Sequence, residues 1–186
     1  MEIILASNSP RRKQLLTDFN VSFKVVPPIK EENKPTNVSV YKCAEILATE
    51  KATEVYENNG GIVLGADTIV CYNGKIFGKP TSEEDAFNTL KLLSNKTHEV
   101  ITGFAIISKD FKCVSHEITK VTFNNLSDKV ILDYIKTGSP LDKAGSYGIQ
   151  DNFNLVKEIN GNLNNVIGLP VERIVEILRE IKWDLK

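Results

Sequence analysis

Ser7-Asn8-Ser9-Pro10-Arg11-Arg12 puts two guanidinium groups directly after a short apolar segment and at the start of a helix. Backbone N–H groups at a helix N-terminus attract anions, and guanidinium forks clamp phosphate oxygens in pairs. The alternative is a solvated first turn whose arginines form surface salt bridges. Two cations in a first turn oppose the helix dipole, which favours an anion site. The segment belongs to neither common phosphate loop, since G-x-x-x-x-G-K-[ST] and G-x-G-x-x-G are both absent. Asp67 stands inside Leu64-Gly65-Ala66-Asp67-Thr68-Ile69-Val70. An acid in an apolar run must be paired, bound to metal, used in catalysis, or held by backbone N–H groups as a structural carboxylate. The spacing leaves these alternatives open.

Other polar residues could serve the same chemistry. Lys51 sits at the edge of an apolar helical stripe, Glu31-Glu32 in a loop, Lys79 in Gly78-Lys79-Pro80, and Asp142-Lys143 in a Gly-rich loop. Each alone reads as a surface charge, and Lys51 can snorkel. Together they offer cations for a polyphosphate and hard oxygen ligands for Mg²⁺. His98 beside Glu99 has the makings of an acid–base pair, although a hydrogen-bonded, half-buried His is the simpler reading. Tyr147-Gly148-Ile149-Gln150 ends on an amide whose N–H and C=O match the imide edge of uracil or thymine. By itself, a Gln closing a turn is the simpler explanation.

The elements that position these groups follow from periodicity and punctuation. Glu2 to Ala6 reads as a buried strand, and Ser9-Pro10 as the N-cap and first residue of a helix with Leu15, Leu16 and Phe19 inward. A strand over Ser22–Val26 ends at Pro27-Pro28, and Lys30 to Asn37 is a polar loop. Apolar residues from Val40 to Val55 recur at helical spacing until Asn58-Asn59-Gly60-Gly61 stops them. Ile62 to Ala66 reads as a strand broken at Asp67-Thr68 and resumed over Ile69–Cys71, with a hairpin at Asn73-Gly74. Ser82 and Ser127 cap helices, and Glu99–Ile107 and Cys113–Phe123 are long strands. Gly138 to Tyr147 is a loop, Leu155–Ile159 a strand, and Pro170 opens a last helix with Ile174, Ile177, Leu178 and Ile181 inward. Helices and strands alternate early and hairpins come late, so a mixed α/β sheet is expected.

Composition limits the function classes. The 186 residues are 41% hydrophobic and 25% charged, which suits one domain or two lobes sharing one sheet. Lys plus Arg number 23 against 24 for Asp plus Glu, a balance that argues against nucleic acid or a membrane surface as partner. No apolar run approaches the ~18 residues of a membrane span. The start, Met1-Glu2-Ile3-Ile4-Leu5, has no basic n-region and does not read as a signal peptide. Cys43, Cys71 and Cys113 are odd in number and far apart, so they read as thiols of a reducing cytoplasm. With no zinc spacing and two His, a transition-metal cage is not expected.

Taken in order, six segments resemble the Maf family of nucleoside triphosphate pyrophosphatases. They are Leu5-Ala6-Ser7-Asn8-Ser9-Pro10-Arg11-Arg12, Gly65-Ala66-Asp67-Thr68, Gly78-Lys79-Pro80, and Thr97 through Gly103. Asp142 through Gln150 and Asn165-Val166-Ile167-Gly168-Leu169-Pro170 complete the set. The match spans nearly the whole chain. It implies a single domain over 1–186, an α/β fold with an elongated mixed sheet flanked by helices, similar to inosine triphosphatase, and two lobes with a cleft between them. It implies a cytoplasmic, housecleaning hydrolase that cuts the α–β phosphoanhydride of dTTP and UTP, or of modified pyrimidine nucleotides. Asp67 is then the catalytic proton acceptor, and Asp67 and Glu32 hold a divalent cation, Mg²⁺ or Mn²⁺. Arg11, Thr68 and Gln150 match the trio that marks the dTTP/UTP branch, while Ser7, Arg12, Lys51 and Lys79 match other substrate-binding positions. A homodimer is implied as well. Ile29 stands where the family often has Asp, and Ser139 where it often has Glu. The second reading is a non-catalytic nucleotide-binding regulator of cell division or septum formation.

Overall fold

The computed structural model describes residues 2–30 and 35–181. A short strand β1 (Ile3–Leu5) leads into helix α1 (Pro10–Asp18), capped by the Ser9 hydroxyl, which accepts from the Arg12 N–H. Strand β2 (Phe23–Val25) follows, then helix α2 (Val40–Asn59), which Gly60 ends at φ 60°. Strand β3 (Val63–Tyr72) turns at Asn73-Gly74, both at positive φ, into β4 (Lys75–Phe77). Ser82 caps α3 (Glu83–Leu93), whose first turn is acidic. Strands β5 (Thr97–Ile107) and β6 (Lys112–Phe123) precede α4 (Asp128–Ile135), β7 (Val156–Asn160), α5 (Leu163–Ile167) and α6 (Val171–Glu180).

The strands form one mixed sheet in the order β2-β1-β3-β5-β6-β7, with β4 paired to β3. β1 runs parallel to both neighbours, with Leu5 opposite Val25 on one side and Leu64 on the other. β4 returns antiparallel, Val70 facing Phe77. β7 is antiparallel to β6, with a register shift between Thr122 and Phe123. The outer strands are short: β2 has three residues and runs into Pro27-Pro28, and β7 has five, of which Lys157 and Glu158 are exposed.

The chain divides into two compact units, the division falling within β3, β5 and β6. The first comprises Met1–Asp67, Thr102–Glu117 and Gly168–Lys186. Its core includes Ile4, Ala6, Ala52, Val55, Val63 and Ala105. The second comprises Thr68–Ile101 and Ile118–Ile167. Its core gathers Leu90, Val100, Phe123, Ile131, Tyr134 and Tyr147, among others. No helix among the described residues is long and apolar enough to cross a membrane.

Three expectations are corrected. β3 is continuous through Asp67-Thr68, because the acid has a cationic partner and need not interrupt the ladder. The loop from Gly138 to Tyr147 contains two short 3-10 turns, Ser139–Asp142 and Ala144–Ser146. Helix α5 was not expected. Its cap is Asn162, whose Oδ1 accepts from the N–H groups of Asn164 and Asn165 at 2.7 and 3.2 Å, a signal hidden in an Asn-rich polar run.

Candidate active site

In the first unit the site grows from two glycines. A Cβ on Gly65 would lie 2.3 Å from the Ala48 carbonyl oxygen and 2.9 Å from the Ala52 Cβ. One on Gly103 would lie 2.3 Å from the Ala44 carbonyl. Only glycine lets a helix backbone come this close to a strand. α2 is therefore pressed onto β3 at Ala48 and Ala52 and onto β5 at Ala44. Lys51 lies one turn on from Ala48, and Asp67 shares a strand face with Gly65 two residues before it. The result is a Lys51 Nζ–Asp67 Oδ1 contact of 2.6 Å, with side chains 11% and 13% exposed. Asp67 is thus a paired carboxylate. No hydrogen bond among the described residues engages its Oδ2.

Counting on from Leu5 opposite Leu64, Ser7 falls beside Ala66, at the carboxyl end of β1. Ligands of open α/β sheets bind at this end of parallel strands. Ser7 is buried; its Oγ accepts from the Ser9 N–H at 3.2 Å and from Arg12 Nη1 at 3.1 Å. Arg12 Nε donates to the Gly168 carbonyl at 2.8 Å. The Arg12 guanidinium is thereby fastened to the protein through both Nε and Nη1. Ser7, Arg11, Arg12, Lys51 and Asp67 are all residues of this unit. A cavity of about 740 Å³ opens beside Lys51, with Lys30, Lys42, Lys112 and Glu54 on its walls.

Glu54 was missed in the sequence. It is buried one turn beyond Lys51, and its Oε1 accepts from the N–H groups of Ile29 and Lys30 at 2.8 and 3.2 Å. The signal was present: an acid interrupts the buried helical face. Ile29 itself is 91% exposed. Glu32 lies outside the described residues.

The second unit holds Thr68, Lys79 and Gln150. The Gly145 N–H donates to the Gly78 carbonyl at 3.1 Å, so the loop carrying Lys79 is tied to the start of the Gln150 segment. Lys79 and Gln150 are exposed. Lys143 serves the loop itself: its Nζ donates to the Ser139 carbonyl at 2.6 Å and to Asp142 at 2.9 Å. Ser139 Oγ donates to Asp151 Oδ2 at 2.8 Å, so a carboxylate does face position 139.

His98 is fully buried, not half-buried, and its Nε2 lies 2.8 Å from Tyr147 Oη. Burial pushes its pKa down to about 4, which removes it from acid–base work near neutrality. Its ring packs edge-on against Phe123 and Tyr147, so His98 holds the core of the second unit. Asn165 is likewise structural, donating to the Val100 carbonyl and to Thr119 Oγ1.

Among the described residues, no group of three or more His, Cys, Asp or Glu side chains could hold a metal ion. A Mg²⁺ shared with phosphate oxygens needs only one or two carboxylates, and Asp67 Oδ2 can supply one. The donor chemistry fits a cation carried on a phosphate chain.

A family model described as Maf-like protein matches residues 2–181. The dTTP/UTP pyrophosphatase of Thermococcus onnurineus (strain NA1) is 49% identical over 181 residues, covering 96% of this chain and 97% of that protein. The dTTP/UTP pyrophosphatase of Aquifex aeolicus (strain VF5) is 44% identical, covering 97% and 96%. That of Bacillus cereus (strain G9842) is 47% identical, covering 99% and 97%. Among solved structures, the Ham1 protein of Staphylococcus aureus superposes with TM-score 0.53 at 14% identity over 98% of this chain and 100% of that one. This likeness concerns the fold alone.

Proposed function

Because the chain belongs to the Maf family, we propose that it hydrolyses the α–β phosphoanhydride of dTTP and UTP, releasing the nucleoside monophosphate and pyrophosphate. The observation that carries the reading, beside relatives of that name along the full length, is the buried Lys51–Asp67 pair at the carboxyl end of the parallel strands.

Water attacks the α-phosphorus; its oxygen forms the new P–O bond, and pyrophosphate leaves with the electrons of the broken anhydride. Lys51 holds Asp67 Oδ1, which aims Oδ2 to accept the water's proton. Ser7 orients Arg12, and Arg11, Arg12, Lys51 and Lys79 bind the triphosphate and stabilise the charge that grows as the anhydride breaks. The N–H groups of the first turn of α1 add donors. Maf-type pyrophosphatases depend on divalent metal; Asp67, with Glu32, would hold Mg²⁺ or Mn²⁺, which supplies charge neutralisation on the phosphates. Thr68 and Gln150 read the pyrimidine edge. Cys71 and Cys113, both free thiols, suit a reducing cytoplasm. A homodimer belongs to the same reading and is checked by light scattering.

The test is pyrophosphate release by the pure chain from dTTP, UTP and a panel of purine and modified pyrimidine triphosphates, with Mg²⁺ and with chelator. The expected result is metal-dependent release, at least tenfold faster from the pyrimidines named. Orthophosphate as the product would overturn the cleavage site. Saturable nucleotide binding without product would favour the non-catalytic regulator.

A further inference from the structure

The turn that carries Gln150 is built around one phenol. The Asp151 N–H donates to the Gly148 carbonyl at 3.1 Å, closing a turn with Ile149 and Gln150 at its centre. Tyr134 Oη accepts from the Gly148 N–H at 2.9 Å and donates to Asp151 Oδ2 at 2.5 Å. A single hydroxyl thus grips both ends of the turn. Tyr134 is itself fully buried on α4, so the grip is anchored in the core of the second unit. Ser139 Oγ donates to the same Oδ2 at 2.8 Å, and Lys143 Nζ stands 3.8 Å from it. A Cβ on Gly148 would lie 2.7 Å from both Asp151 Oδ2 and Lys143 Cε, so a side chain there would displace the groups that hold the turn. Gln150 is exposed, and no hydrogen bond among the described residues fixes its amide. Order at Gln150 comes through the backbone beneath it.

We propose that Tyr134 and Asp151 are positioning residues for base selection: they lock the Gly148–Asp151 turn so that the Gln150 amide meets a pyrimidine imide edge in one placement. This rests on the pyrophosphatase reading above and deepens it. A site that hydrogen-bonds a base discriminates strongly only when its polar groups are held in place. Burial, and then the bond to Asp151, raise the pKa of Tyr134, which keeps the hydroxyl a donor.

The experiment measures kcat and KM for UTP and for ATP with full-length Tyr134→Phe, Asp151→Ala, Asp151→Asn and Gln150→Ala. Tyr134→Phe and Asp151→Ala are expected to lower the UTP-to-ATP ratio of kcat/KM at least tenfold, with kcat for ATP within twofold of wild type. Asp151→Asn, which still accepts from Tyr134, is expected to recover most of the ratio. Should Tyr134→Phe fail to fold, Asp151→Ala, at a half-buried position, decides alone. A ratio within twofold of wild type in the positioning variants, alongside its collapse in Gln150→Ala, overturns the proposal and leaves Gln150 as reader. An unchanged ratio in Gln150→Ala removes the reader and the proposal with it.

Discussion

Asp67 is 9% exposed, with one oxygen held by an ammonium group and the other unengaged by any described residue. Replacing it with Asn keeps the shape and an acceptor for Lys51 but removes the proton acceptor. Asp67→Asn is expected to lower kcat for pyrophosphate release at least ~100-fold, within the range general bases contribute. Its circular dichroism and unfolding midpoint should stay near wild type; turnover within tenfold of wild type refutes the assignment. At this scale the sequence showed which residues were unusual, not how they pair. An acid in an apolar run demanded a partner, and a lysine edged an apolar stripe, yet nothing in the spacing joined positions 51 and 67. Glu54 marks the buried face of α2 as an acid out of place, but its partners are backbone N–H groups, so no side chain in the sequence pairs with it. Asp151 was unread because its partners Tyr134 and Ser139 stand 17 and 12 residues before it, outside any helix or turn spacing.

Helix α2 owes its place to two missing side chains. Gly65→Ala inserts a Cβ where the Ala48 carbonyl oxygen stands 2.3 Å away, and the helix backbone cannot yield locally. Overpacking of this kind costs ~1–3 kcal/mol or more. Urea unfolding should show that loss, and because Lys51 rides on the displaced helix, kcat should fall as well. An unchanged midpoint would mean that the helix does not rest on Gly65. Most elements were legible because local chemistry sets their ends: Ser9, Ser82 and Ser127, each read as a cap, do cap helices, and the structure adds Ser39 at the start of α2. Among the described residues, five asparagines, at 20, 37, 73, 95 and 154, take positive φ, so turns account for part of the chain's seventeen. Less legible was the close approach itself. A glycine in a strand announces that something comes near without naming what.

The two units were not visible as composition, since no Pro- or Gly-rich linker marks a division that falls within three strands. The fold as a whole carries a pH signature through His98. Buried, it stays neutral down to about 4, whereas its usual value is 6.5. Between these values the unfolded chain binds more protons, so stability falls as pH drops from 6.5 towards 4, by ~1.4 kcal/mol per unit at most and ~3 kcal/mol in all. Above pH 7 both states are neutral at this residue and the contribution vanishes. His98→Gln, which keeps a polar contact for Tyr147 without titrating, should flatten the slope of urea-unfolding stability between pH 6.5 and 5. Equal slopes in both proteins would refute it. Finally, the short outer strands bear on behaviour at high concentration. A three-residue margin closed by consecutive prolines, and a five-residue margin bearing Lys157 and Glu158, give another molecule scarcely any backbone to latch onto. Runaway fibril-like stacking is thereby denied a template, even though the interior of the sheet is rich in the residues that such stacking favours.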